Sequence, residues 1–211
     1  MRILLVDDHP VVRRGLRQII SEAFADVVFG EAENGAQTLA QISQQQPWDV
    51  IVLDVSMPGR SGLEVLGEIK KQRPATPVII LSVHPEDQFA IRGLKAGASG
   101  YLTKDSAPEE LVQAIQKVLL SKGRYVSTRL AERLAQAIGS PAEEPSHEFL
   151  SNREYEVLLL IAAGKKLTEI AQRLHLSIKT VSTYRTRILE KMGANNNADL
   201  TRYALTNQLI D

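Results

Sequence analysis

Two adjacent carboxylates, Asp7 and Asp8, close the apolar run Ile3-Leu4-Leu5-Val6, and a third, Asp54, closes the run Val50-Ile51-Val52-Leu53. A hydroxyl, Ser82, follows a third apolar run, while Tyr101 and Lys104 lie within and just beyond a fourth. Converging acids with a single Lys and a hydroxyl are the makings of a site for a divalent cation and a phosphoryl group. Each residue alone has an ordinary explanation. A paired Asp after a strand often caps a helix, and a lone Lys in a loop is usually solvated. What argues against coincidence is that the acids, the hydroxyl and the Lys all fall at or just beyond the end of an apolar run.

The elements that must position them alternate. Strand-like runs over 3–6, 27–30, 50–53, 77–81 and 100–102 are separated by helix-like segments over 10–23, 36–45, 63–71, 85–95 and 109–121. Strand and helix in strict alternation is the pattern of a parallel sheet built from βαβ units. Right-handed crossovers set the ends of strands one, three, four and five together, where a doubly wound sheet carries its functional groups.

Composition bounds the rest. The 211 residues, 44% hydrophobic, suffice for two modest globular domains. There is no cysteine, so disulfides, thiolate metal sites and thiol nucleophiles are excluded. No apolar stretch approaches a membrane span and the N-terminus is too short for a signal-peptide core, so the expectation is a soluble, cytoplasmic protein without membrane contact. The net charge of zero hides an asymmetry: residues 149–211 hold nine Lys/Arg against six Asp/Glu, and residues 1–148 hold sixteen against nineteen. A mildly basic second half hints at a polyanion partner.

The motifs Val6-Asp7-Asp8-His9, Asp54-Val55-Ser56-Met57-Pro58-Gly59, Leu81-Ser82 and Gly97-Ala98-Ser99-Gly100-Tyr101-Leu102-Thr103-Lys104 make residues 1–121 resemble the receiver domain of two-component response regulators. The resemblance implies an α/β flavodoxin-like (βα)5 fold with strand order 2-1-3-4-5. Its chemistry follows from charge. A carboxylate attacking a phosphoryl donor brings several negative charges to one point, and Mg²⁺ with one ammonium compensates them. Asp7 and Asp8 would hold the cation, and the resemblance adds the backbone carbonyl of Ser56. Asp54 would be both ligand and nucleophile, becoming an aspartyl phosphate. Lys104 would pair with the phosphoryl oxygens and Ser82 would donate to them. Tyr101 has two readings, a core aromatic or, by resemblance, a switch that moves inward when Ser82 is drawn to the phosphoryl group and reshapes the face formed by 85–95 and 109–121. Ser56 and His84 flank the path of hydrolytic water in this family. Such a protein is a phosphoacceptor that assists its own phosphorylation and dephosphorylation, not an enzyme in the usual sense.

Residues 122–138 read as helical, with Leu130, Leu134 and Ile138 four apart, and Gly139-Ser140-Pro141-Ala142-Glu143-Glu144-Pro145-Ser146 reads as a flexible linker. The division is therefore receiver 1–121, linker helix and linker 122–147, and a helical domain 148–211. In that last part Ser151 and Glu154 form a capping-box signature, Gly164 and Gly193 end helices, and two helices around His175-Leu176-Ser177 form a helix-turn-helix. Within its second helix Ile178, Val181, Ile188 and Met192 define an inward stripe, leaving Lys179, Ser182, Thr183, Arg185 and Thr186 elsewhere. Small hydroxyls beside long cations suit a major groove, although a solvated helix face has the same pattern.

Leu150-Ser151-Asn152-Arg153-Glu154, Ala163-Gly164, Glu169-Ile170-Ala171, Leu174, Ser177, Thr180-Val181 and Lys191-Met192-Gly193 resemble the helix-turn-helix of LuxR-type regulators over residues 148–211. Receiver plus this module is similar to the NarL/FixJ class. The chain departs from the usual pattern at Tyr184, where His is common, and at Ser182, where Lys is common. The resemblance implies a DNA-binding response regulator with a cognate histidine kinase and double-stranded DNA as partners. It implies a homodimer promoted by phosphorylation, pairing through the receiver or the helix over 197–206. DNA contacts are expected from Lys179, Thr180, Ser182, Thr183, Arg185, Thr186, Arg187 and Lys191, with Lys179, Arg185 and Lys191 on phosphates. A receiver gating protein partners is the other class of output; a gel shift separates the two. The helical output offers no catalytic cluster.

Overall fold

The structure is a computed structural model that describes residues 1–43, 46–57, 60–83, 86–120, 123–127, 130–132, 147 and 150–210. The chain divides into two compact units, Met1–Ile138 and Gly139–Asp211. The first holds β1 (Arg2–Val6), α1 (Pro10–Ala23), β2 (Val28–Ala32), α2 (Gly35–Ile42), β3 (Val50–Asp54), α3 (Gly62–Gln72), β4 (Val78–Ser82), α4 (Glu86–Lys95), β5 (Gly100–Thr103) and α5 (Ala107–Leu120). All neighbouring strands pair in parallel in the order β2-β1-β3-β4-β5, so the flavodoxin-like receiver fold expected from the sequence is the one found. Every residue of β3 and β4 is buried, because helices cover both faces and the strands carry continuous rather than alternating apolar runs. One face packs Ile3, Leu5, Val50, Val52, Ile79 and Leu81 against Leu16 and Ile20 of α1 and Leu111, Ile115 and Val118 of α5.

Two departures from the sequence reading have a structural reason. Strand β2 runs through Gly30 to Ala32 instead of stopping at the glycine. A Cβ at Gly30 would lie 2.3 Å from the Trp48 ring, so the glycine makes room for an indole within the strand instead of ending it. The helix expected over 122–138 is not present at 123–127, where Tyr125 forms a parallel bridge with Gly100. The Tyr125 N–H donates to the Ser99 carbonyl at 2.7 Å and its hydroxyl meets Glu110 at 2.8 Å. A helical turn does form at 130–132, where the Ser127 side chain accepts the Leu130 N–H at 3.2 Å. That bond is of the kind a helix cap makes, and it follows a β-forming Tyr-Val pair. The linker over 139–146 lies outside the described residues.

The second unit consists of α6 (Asn152–Ala162), α7 (Leu167–Arg173), α8 (Ile178–Met192) and α9 (Asn197–Thr206). Helix α6 is buried nearly all round, the mark of a central core helix, and Val157, Leu158, Ile170, Val181, Ile188 and Leu200 are each fully buried. The Ser151/Glu154 capping box starts α6, Ser177 caps α8, and Gly193 ends α8 in the left-handed region. No helix among the described residues is long and apolar enough to cross a membrane.

Candidate functional site

At the carboxyl end of the sheet, β1 delivers Asp7 and β3 delivers Asp54, each with a side chain only 1% exposed. The Lys104 ammonium, just beyond β5, bridges them at 2.6 Å from Asp7 Oδ2 and 2.9 Å from Asp54 Oδ2. The other oxygen of Asp54 accepts the Ser56 N–H at 3.0 Å. The loop that follows is fixed from below: Gly62 donates its N–H to the Val55 carbonyl at 2.8 Å, and a Cβ there would lie 2.1 Å from the Asp54 carbonyl oxygen. Only glycine lets α3 start this close to the end of β3.

Two carboxylates share one ammonium, and the charges are unequal. Burial pushes the Asp54 carboxyl above its ordinary range; Asp7 adds to the rise, and Lys104 and the Ser56 N–H oppose it without cancelling it. For Lys104 burial acts downward, but Asp54 and Asp7 outweigh it and hold the ammonium charged. The pocket therefore has negative charge in excess. Asp7, Asp8, His9 and Asp54 place one ligand atom each within 4.8 Å of one another. A set dominated by carboxylate oxygens suits a hard cation such as Mg²⁺ and lacks the thiolate and imidazole majority of a zinc site.

Ser82 ends β4 fully buried, and its carbonyl accepts the Lys104 N–H at 2.7 Å. Tyr101 is buried in β5, a position compatible with a core aromatic and with a switch residue turned inward. His84 lies outside the described residues. Sequence reasoning assigned no role to His9, whose ring stands 2.8 Å from Asp8 and 3.2 Å from Asp7. It also passed over Arg13, although an Arg three and seven residues before Leu16 and Ile20 was a visible signal, a charge in phase with an apolar stripe.

In the second unit α8 presents Lys179, Ser182, Thr183, Thr186 and Arg187 to solvent, with Tyr184 half-buried. Lys179, Thr180, Thr183, Tyr184 and Arg187 line one shallow depression of about 300 Å³. The Thr183 and Thr186 hydroxyls donate to the carbonyls of Lys179 and Ser182, which commits each hydroxyl proton to the backbone. Thr180 is held by the Ser177 cap. One expectation needs correction, and two of the expected DNA-contacting cations have partners within the unit. Ile178, read as part of the inward stripe, is 52% exposed, because it is the first residue of α8 and projects past the helices that cover Val181 and Ile188. Lys191, expected on phosphates, pairs with Glu154 at 2.6 Å while its side chain stays 41% exposed. Arg185 donates to Asn197 at 2.6 Å, tying α8 to the start of α9.

Residues 3–116 match the response regulator receiver domain and residues 148–204 the luxR family of bacterial regulatory proteins. The chain is 37% identical over 211 residues to Response regulator GacA of Pseudomonas protegens, covering 100% of this chain and 98% of that protein. It is 37% identical over 212 residues to Response regulator UvrY of Escherichia coli, covering 100% and 96%. Among solved structures it resembles RcsB of Salmonella enterica serovar Typhimurium bound to the rprA promoter in the presence of the phosphomimetic BeF3⁻. That match has 28% identity, a TM-score of 0.62, and covers 96% of this chain and 98% of that one.

Proposed function

The chain belongs to the DNA-binding two-component response regulators of the NarL/FixJ class, and from that premise we propose that Asp54 accepts a phosphoryl group from a histidine kinase in a Mg²⁺-dependent step that switches self-association and DNA binding to control transcription in the cytoplasm. The observation that carries this is the setting of Asp54: a buried carboxylate held between the Lys104 ammonium at 2.9 Å and the Ser56 N–H at 3.0 Å, with Asp7 beside it.

Each residue then has a part. Asp7, Asp8 and Asp54, with the Ser56 carbonyl, would hold Mg²⁺, which when bound offsets the negative charge that meets at the phosphorus. An Asp54 oxygen forms the new bond to phosphorus as the bond to the donor nitrogen breaks, and the leaving imidazole keeps the electron pair. Lys104 already touches the nucleophile and follows the charge onto the phosphoryl oxygens. Ser82 donates its hydroxyl to the same group, and the backbone bond from Lys104 to the Ser82 carbonyl keeps β4 and β5 in step as it does so. Tyr101, on β5, carries the change to the face of α4 and α5. The protein acts on itself as a phosphoacceptor and is not an enzyme toward other molecules.

In the second unit α8 enters a major groove. Ser182, Thr183 and Thr186 approach base edges while Lys179 and Arg187 meet phosphates. Symmetric pairing through α9 or the receiver sets two such helices about one DNA turn apart, ~34–36 Å or a multiple. The test is incorporation of labelled phosphate from a small phosphodonor with Mg²⁺, followed by sedimentation and gel shift. Wild type should label, grow in mass and bind DNA more tightly, and Asp54→Asn should do none of these. Labelling of Asp54→Asn at the wild-type rate refutes the acceptor assignment. Equal mass with and without phosphodonor, at saturating phosphorylation, refutes the switch in self-association.

A further inference from the structure

Helix α1 carries a cation on its buried face. Arg13 is 6% exposed, a position where an unpartnered guanidinium would be heavily disfavoured by desolvation. It is held by three acceptors in three directions. Nε donates to Glu31 at 2.9 Å, Nη2 to Glu33 at 2.7 Å, and Nη1 to the backbone carbonyl of Asp7 at 2.7 Å. Glu31 belongs to β2, and Glu33 lies just after it. The third bond is the one with reach. Asp7 also gives its own N–H to the Ala32 carbonyl at 3.1 Å, so both backbone polar groups of this acid are fixed, one of them by Arg13. The Asp7 carbonyl lies in the peptide plane shared with Asp8, and the orientation of that plane decides where the Asp8 side chain emerges beside Asp54.

We propose that Arg13 is a positioning residue for the divalent cation: anchored on Glu31 and Glu33, it holds the Asp7–Asp8 peptide plane so that both carboxylates converge with Asp54. The inference rests on the acid cluster being a cation site. It makes a claim of opposite sign to simple electrostatics. A positive guanidinium near a cation site repels the cation, so its removal by field alone would tighten cation binding. Removal of a group that orients a ligand loosens binding instead, by about tenfold where outer partners of metal ligands have been changed. Lys retains the charge but offers one compact ammonium that cannot bridge three acceptors as the planar fork does.

The experiment titrates the full chain with Mn²⁺ and reads the free ion by electron paramagnetic resonance, for wild type, Asp8→Asn, Arg13→Met and Arg13→Lys, with thermal melts confirming that each is folded at the titration temperature. Wild type should bind one ion and Asp8→Asn should lose most of that affinity. Arg13→Met should bind about tenfold more weakly, and Arg13→Lys should also be weaker than wild type. A wild-type protein that binds no Mn²⁺ overturns the cation-site reading itself. Binding in wild type that is equal or tighter in Arg13→Met overturns the positioning role alone, as does a lowered melting temperature with unchanged affinity. Should Arg13→Met fail to fold, Arg13→Lys decides: wild-type affinity there refutes the role, and weakened affinity upholds it.

Discussion

Lys191→Met separates a structural cation from a DNA-binding one. The Lys191 ammonium lies 2.6 Å from Glu154 Oε2, and the same oxygen takes the Ser151 N–H at 2.7 Å. The Glu154 side chain is 4% exposed and that of Lys191 41%. Breaking a fully buried charge pair costs about 3–5 kcal/mol, and breaking an exposed one about 0.2–1. Here one partner is half in solvent and the stranded carboxylate keeps its bonds to Ser151, so the expected loss is ~1–2 kcal/mol. For a domain of this size that corresponds to roughly 5–15 °C in Tm. Calorimetry of the full chain at neutral pH measures it. The pH dependence adds a second reading. Burial pushes the Glu154 carboxyl up, but Lys191 and Ser151 more than reverse it and hold it below the ordinary carboxylate value. Its contribution is therefore complete above that value and is lost as pH falls through the lowered folded pKa; in Lys191→Met that acid-side slope should flatten. Binding to an operator across a salt series completes the comparison. An unchanged melting temperature together with a salt slope lowered by about one unit would refute the reasoning and return Lys191 to the phosphate backbone.

Two further outcomes follow from the geometry. The folded-state pKa of Asp54 is raised, so its ionisation opposes folding: in metal-free buffer stability should fall as pH rises from below the ordinary carboxylate value through the raised one. Asp54→Asn should be the more stable protein at neutral pH, with the difference vanishing in acid, as urea unfolding with a chelator would measure. On α8, Thr183→Ala or Thr186→Ala should alter discrimination at one base pair by about 1–3 kcal/mol, whereas Lys179→Ala should weaken all sequences alike and lower the salt slope by about one unit. A uniform loss in the threonine variants with a change of base preference in Lys179→Ala would reverse these roles.

The sequence made the acid pocket legible because each of its residues ends an apolar run, and a run's end is a position in space once the sheet is parallel. Glycine at position 30 misled, since a residue that usually stops a strand was serving an indole across the sheet. Nor could local pattern reveal the partners of Lys191, Arg185 and Arg13. On a helical wheel a cation that turns to a carboxylate 37 residues away looks the same as one that faces DNA. Periodicity records which face a residue occupies and says nothing of where a long side chain bends. Ile178 shows the limit from the other side: its phase was apolar, but a stripe needs a neighbour to cover it, and among the described residues the first position of α8 is left 52% exposed.

The Tyr125–Gly100 bridge bears on where this chain can be cut. Strand β5 is the last in the sheet, and an outer strand offers unpaired N–H and C=O groups to any other strand that approaches. The chain's own return at Tyr125 occupies the beginning of that row through its N–H on Ser99. Gly100 permits the approach, since a Cβ there would lie 3.2 Å from the Tyr125 Cβ. A fragment ending at residue 121, where the alternation of strand and helix runs out, would remove this cover and present β5 for intermolecular pairing. One ending after Ser127 would keep it. The short segment beyond the last helix of the receiver thus covers one end of the edge strand, and a boundary drawn by sequence pattern alone would discard it.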